Sequence, residues 1–274
     1  MGCGKGSFLE QLQGLGFEIT GLDPTYEGSN PSVIKEYFSP GIGLHADGVI
    51  LRHVLEHVQD PVGFLSNIRE SNGGAGKIYI EVPCFDWICK HRAWFDIFYE
   101  HVNYFRLRDF DRIFGRIHES GHTFGGQYLY VVADLTTIEM PTYDESDCFE
   151  FPKDFLDTIN QYATRLRTQN TEHRTQNTEH RTASAIWGGA SKGVIFALFM
   201  ERAGAKIDIV IDINPAKQDK YLAATGFQVQ SPAQAMRRLT PGADLFVMNS
   251  NYLNEIQELT AHQFNYLLVE HESI

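Results

Sequence analysis

The chain has 274 residues, 43% hydrophobic and 21% charged, with a formal charge of -12 from 35 acidic and 23 basic residues. That length holds one large domain or two modest ones, and the acidic balance repels phosphate backbones, which disfavours a nucleic-acid partner. No apolar run is long enough for a bilayer, and the start MGCGKGSFLEQ lacks the basic flank and apolar stretch of a secretory signal, so a cytoplasmic protein without a membrane partner is expected. Cys3, Cys84, Cys89 and Cys148 form no CxxC pair and are expected as reduced thiols rather than a disulfide or zinc site.

Short apolar runs alternate with amphipathic stretches, the pattern of an α/β protein. After a glycine-rich opening, a short helix is predicted from Ser7 to Leu15 and a strand from Phe17 to Leu22, ending at Asp23. A second strand runs from Gly48 to His53, a helix follows Asp60-Pro61 through Arg69, and a third strand spans Lys77 to Val82. His122 to Phe124 and Tyr128 to Ala133 read as a hairpin turning at Gly125-Gly126. A helix is expected from Phe151 to Leu166, before RTQNTEHRTQNTEHRT, a seven-residue unit repeated twice and begun again. No position of that unit is apolar, so it reads as a solvated spacer rather than a coiled coil, with His173 and His180 not expected to bind metal. Order returns with strand Ala185 to Trp187, the turn GGASKG, helix Val194 to Ala203 and strand Ile207 to Ile211, which ends at Asp212. Helix Pro232 to Leu239, strand Asp244 to Met248, helix Tyr252 to Ala261 and strand Asn265 to Val269 complete a small parallel unit. The expected division is a first domain over 1–135, a linker helix and repeat over 136–183, and a second domain over 184–274.

Gly2, Gly4 and Gly6 precede a helix, and Asp23 closes the next strand. Glycines let the backbone approach a ligand closely, and such a carboxylate can accept hydrogen bonds from both hydroxyls of a ribose. That signal is shared among nucleotide-binding folds and is equally that of a tight turn. His101 is the best candidate for a general base, because an imidazole titrates near working pH; in an aromatic-rich segment it also reads as a structural histidine. Tyr104 is placed to hydrogen-bond a substrate or its enolate oxygen. His53, Glu56 and His57 lack the HExxH order, so no metal site is expected there. Glu81 reads as a pocket wall or as a satisfied structural carboxylate. GGASKG with Asp212 repeats the glycine-loop logic, with Lys192 and Lys217 as possible phosphate contacts or as solvated lysines.

Three segments then occur in order: RHVLEHVQDPVGFL (Arg52 to Leu65), YIEVPCFDW (Tyr79 to Trp87) and FYEHVNYF (Phe98 to Phe105). With the glycine loop they resemble S-adenosylmethionine-dependent methyltransferases that act on nucleotide-linked deoxysugars. IWGGASKGVIFALF, VIDINPAKQDKYL and VMNSNYLNEI are similar to the C-terminal domain of the sugar C-methyltransferases. The resemblance implies a Rossmann-like, doubly wound methyltransferase domain followed by a second small parallel α/β domain. It implies S-adenosyl-L-methionine as cofactor, near Gly2, Cys3, Gly4, Gly6, Asp23 and Pro24, with His53, Val54, Glu56 and His57 lining the pocket or orienting the substrate. It also implies His101 as the catalytic base, with Tyr99 and Glu100 beside it and Tyr104 near the acceptor.

Two departures accompany it. The family's N-terminal four-cysteine zinc module has no counterpart, and Met1 stands where the family's first strand should already have ended. A domain missing that strand is therefore expected, with two strands each lacking a ladder partner. The activity implied is transfer of a methyl group to a carbon of a nucleotide-linked keto-deoxysugar. Methylation of an oxygen of a sugar or another small acceptor, or an inactive fragment that at most binds partners, are the alternatives.

Overall fold

The computed structural model describes residues 1–142, 148–172 and 184–270, with backbone alone for 169–172. Most of the repeat, His173 and His180 included, lies outside the described residues. The chain divides into two compact units, one of residues 1–86 and 100–148, the other of residues 87–99 and 149–274. This differs from the contiguous division expected from the sequence, and the aromatic packing described below accounts for the exchanged segment.

In the first unit, helix α1 (Ser7–Gly14) follows the glycine loop and leads to strands β1 (Gly21–Leu22) and β2 (Val33–Ile34), which pair in parallel. Strand β3 (Gly48–Arg52) leads to helix α2 (Pro61–Ser71) and strand β4 (Lys77–Pro83). The start of α2 is set by Asp60, whose side chain accepts from the Gly63 N–H at 2.9 Å, with Pro61 at the first helical position. Helix α3 (Phe85–Lys90) crosses into the second unit; α4 (Leu107–Ile113), β5 (Ile117–Thr123) and β6 (Tyr128–Asp134) return to the first.

The larger sheet of this unit has the order β3-β4-β6-β5, parallel between β3 and β4 and antiparallel beyond. β6 buries Leu129, Val131 and Ala133 in strict alternation, the sign of one packed and one wetter face. β5 is the edge; its polar, mostly exposed sequence IHESGHT and a bulge near Ile117 discourage further pairing. Of the strand expected over 17–22 only Gly21 and Leu22 pair, because Phe17 is exposed and has no sheet face to cover. Among the described residues β1 pairs only with β2 and β3 only with β4 on its ladder, so the two sheets are not joined. The Met1 nitrogen donates to the Ile50 carbonyl (2.7 Å) and the Gly2 N–H to the Leu22 carbonyl (2.8 Å), which places these two residues between β3 and β1.

The second unit contains α5 (Asp157–Glu172), β7 (Ala185–Trp187), α6 (Ser191–Arg202), β8 (Ile209–Ile211), β9 (Val229–Gln230), α7 (Pro232–Met236), β10 (Asp244–Val247), α8 (Leu253–Leu259) and β11 (Asn265–Leu268). All five strands are parallel in the order β11-β10-β7-β8-β9, a doubly wound arrangement whose order reverses beside β7. β7, β8 and β10 are buried at every position, as strands covered on both faces must be. α5 begins six residues later than expected and continues through the first repeat unit to Glu172. It is tied in by the Tyr162 hydroxyl, which donates to the Val269 carbonyl at 2.9 Å, and by Arg165, which grips the buried Asp244 at 2.5 and 3.2 Å. Trp94 stacks on Phe196 with centroids 5.7 Å apart and tilts against Phe199 at 5.2 Å, so residues 87–99 belong to this core. Among the described residues no helix is long and apolar enough to cross a membrane.

Candidate active site

The glycine loop is shaped by its own carboxylate. Gly2, Gly4 and Gly6 have φ of +62°, +52° and +86°, a region that favours glycine. A Cβ on Gly2 would stand 2.5 Å from Val54 Cγ2, so the loop needs glycine there to meet the segment after β3. A Cβ on Gly4 would meet nothing within 4 Å, which leaves open space beside the loop. Asp23 Oδ2 accepts from the Gly4 N–H (2.8 Å), and Oδ1 accepts from the Thr25 N–H (2.9 Å) and hydroxyl (2.7 Å). Burial pushes the Asp23 pKa up, but the Thr25 and Gly4 hydrogen bonds outweigh it and hold the carboxyl below its usual range. Three of a carboxylate's roughly four acceptor positions are thus taken by the chain. Two ribose hydroxyls, as expected from the sequence, would have to displace Thr25. Cys3 flanks the loop half-buried, its thiol pKa raised by burial and by Asp23, whereas Pro24 is exposed.

After β3 the chain turns sharply at His53, whose φ of +52° is unusual for a residue with a side chain. A one-turn helix, Leu55–His57, then buries Glu56 (1% exposed) and leaves His57 at the surface. The segment carrying His101 is sewn to this turn by backbone bonds: the Val102 and Asn103 N–H groups donate to the Glu56 carbonyl at 2.9 and 3.1 Å, and Asn103 Nδ2 donates to the Val58 carbonyl. The result brings the His57 and His101 rings to 4.9 Å, edge to face, with Tyr104 at 6.0 Å from His101. His57 Nδ1 lies 2.7 Å from the Glu100 carbonyl oxygen. Glu100 therefore contributes its backbone to the cluster. One ligating atom each from Glu56, His57 and His101 lie within 4.8 Å of one another, a spacing from which side-chain shifts could close around a metal ion. Tyr99, 87% exposed, ends the segment grouped in the second unit.

A second network lies against the first. Glu81, on β4, accepts from Arg52 Nε (2.9 Å) and the Tyr79 hydroxyl (2.8 Å), and its Oε1 is 3.4 Å from His53 Nε2. The other nitrogen of His53 is 3.4 Å from Glu56 Oε1. Of the two readings left open by the sequence, Glu81 thus meets the description of a satisfied carboxylate. Burial alone would lower the His53 pKa, yet Glu56 and Glu81 raise it to about 9. Burial likewise opposes ionisation of Glu81, but His53, Tyr79 and Arg52 hold its pKa down to about 2. Relative to ordinary values, His53 adds stability that is whole below pH 6.5 and fades as pH rises through about 9. Glu81 adds stability that is whole above pH 4.5 and fades as pH falls through about 2. An imidazole titration followed by NMR is expected to place His53 near 9, with Glu81→Gln moving it down; a wild-type midpoint at or below 6.5 would refute the shared-carboxylate arrangement.

The loop after β7 copies the first glycine loop. The Gly188 N–H donates to the Ile211 carbonyl (2.8 Å), the Gly189 N–H to Asp212 Oδ2 (3.0 Å), and the Asn214 N–H to Asp212 Oδ1 (2.8 Å). Lys217 pairs with Asp212 at 3.3 Å and Lys192 with Asp96 at 3.0 Å, so both lysines already meet carboxylates. In the first unit, an open cleft of about 570 Å³ lies among Lys5, Glu10, Tyr26 and Asn30; its lining includes neither Asp23 nor the Glu56, His57 and His101 cluster. The cluster differs from the cleft in bringing two imidazoles beside a buried carboxylate.

A family model described as a methyltransferase domain matches residues 1–117. Over that span, which contains the glycine loop, Asp23, the turn after β3 and the His101 segment, the chain is similar to a methyltransferase domain. No curated protein matches the chain.

Proposed function

We propose that the first unit binds S-adenosyl-L-methionine beside the Gly2–Gly6 loop and transfers its methyl group to a carbon of a nucleotide-linked keto-deoxysugar. The observation that carries this reading is the convergence of Glu56, His57, His101 and Tyr104 within the span matched by the methyltransferase model. The loop suits the cofactor: a side chain on Gly4 would fill the open space beside it, and Asp23 fixes the loop while keeping about one acceptor position for a hydroxyl. When bound, S-adenosylmethionine supplies an electrophilic methyl on a sulfonium that leaves as a thioether. His101 takes the proton from the carbon beside the ketone, which leaves that electron pair in an enolate able to attack the methyl. Tyr104, 6.0 Å from the His101 ring, donates to the enolate oxygen, where negative charge collects.

Calorimetry with S-adenosylhomocysteine tests the cofactor assignment. Micromolar binding is expected, and Asp23→Ala should weaken it by about 1–3 kcal/mol through loss of charge-assisted hydrogen bonds. The absence of binding heat, or an unaffected variant, would overturn the assignment.

A further inference from the structure

We infer that Glu56, His57 and His101 form a binding site for one divalent transition-metal ion of the zinc class. Each offers a ligating atom within 4.8 Å of the other two. A tetrahedral ion with bonds of about 2.0–2.1 Å needs its ligands roughly 3.3 Å apart, so closing the site takes side-chain shifts on the order of 1 Å. The backbone bonds from Val102 and Asn103 to the Glu56 carbonyl already clamp the two segments together, leaving only side chains to move.

Two independent features point to a cation. Glu56 is 1% exposed, and neither of its carboxylate oxygens accepts a hydrogen bond from a described residue; the nearest positive group, His53 Nδ1, stands 3.4 Å from Oε1. His53 offsets part of the charge through Oε1, but a buried Oε2 that meets no donor among the described residues is costly, and an ion bound there supplies what is missing. The second feature is His57. The Glu100 carbonyl at 2.7 Å can only accept, so it fixes the proton on Nδ1 and leaves the Nε2 lone pair available. A backbone carbonyl on the far ring nitrogen is the usual way a metal-binding histidine is oriented. Two imidazoles and one carboxylate suit zinc, cobalt or nickel, whereas magnesium and calcium prefer oxygen alone. Three protein ligands leave a position open, and the exposed His57 gives the ion a way in.

The site does not depend on the proposed methyl transfer, but it bears on it. A His101 nitrogen that holds an ion cannot also take a proton, so occupancy and base catalysis exclude each other. Zinc is then an inhibitor of the proposed reaction.

Chelator-treated full chain, titrated with Zn2+ against a chromogenic chelator, is expected to bind one ion at this site. Co2+ should give visible absorption without a sulfur charge-transfer band. His57→Gln and Glu56→Gln should each weaken binding roughly 100-fold, while the exposed His118→Gln leaves it unchanged. Imidazole NMR of the unmutated chain provides a readout that needs no variant: the His57 and His101 signals should move together with Zn2+. Signals that move only at His173 and His180, or binding that ignores both substitutions, would overturn the site. Proton exchange by the zinc-free chain with no zinc binding removes the site and keeps His101 as base; zinc binding by a chain whose zinc-free form shows no exchange keeps the site and removes that base role.

Discussion

His101→Gln is expected to slow deuterium uptake by a nucleotide-linked 4-keto sugar by roughly 100-fold or more, the scale of losing a positioned general base. The measurement uses the full chain, S-adenosylhomocysteine and D2O, because deprotonation precedes methyl transfer and is read without it. Glu100 meets the cluster through its backbone carbonyl, so Glu100→Gln should leave the exchange rate nearly unchanged. Glu56 is a buried carboxylate among the two imidazoles, so Glu56→Gln should slow exchange measurably though less than loss of His101. Wild-type exchange in the His101 variant would remove that residue from the base role. Methylated sugar formed without ring-proton exchange would instead indicate an oxygen acceptor.

Sequence legibility followed the length and isolation of each signal. The elements rich in apolar residues, β3, β4, β6 and β7 to β8 with α6 between, stand close to where periodicity and turn residues put them. Two-residue strands such as β2 and β9 were not legible, because two residues carry no period; the same holds for the short α3 and α4. The apolar Phe17 extends the expected strand to 17–22, whereas only Gly21 and Leu22 pair and Phe17 is exposed. The exchange of residues 87–99 between units depends on Trp94 meeting Phe196 and Phe199, a contact spanning about a hundred residues that no local pattern reports. At the site, individual residues were legible by type, but their grouping was not. In the sequence His53, Glu56 and His57 form a local trio whose spacing argues against a metal. The structure sets His53 between Glu56 and Glu81, and brings His101, forty-four residues beyond His57, to the ring of His57.

Gly193→Ala should destabilise the second unit by about 3 kcal/mol or more, the upper range for forcing an atom into a packed interior. Gly193 is the third residue of α6, and a Cβ there would stand 1.9 Å from the Gly188 carbonyl oxygen and 3.0 Å from its carbon. Both are backbone atoms, so no rotamer change relieves the clash. Gly188 cannot easily retreat either, because its N–H is bonded to the Ile211 carbonyl and its φ is +122°. The helix must lift from the end of β7, which pulls the buried Phe196, Ala197 and Met200 away from the sheet. In this reading the last glycine of GGASKG is required for helix-to-strand packing, whatever the loop binds. Gly204→Ala supplies the comparison: φ there is +71°, but a Cβ meets nothing within 4 Å. It should therefore cost only about 1–2 kcal/mol, the backbone strain of a left-handed residue. Urea unfolding of the two variants separates the causes. Equal losses would mean that the Gly188 contact relaxes freely, and close packing would no longer explain the glycine.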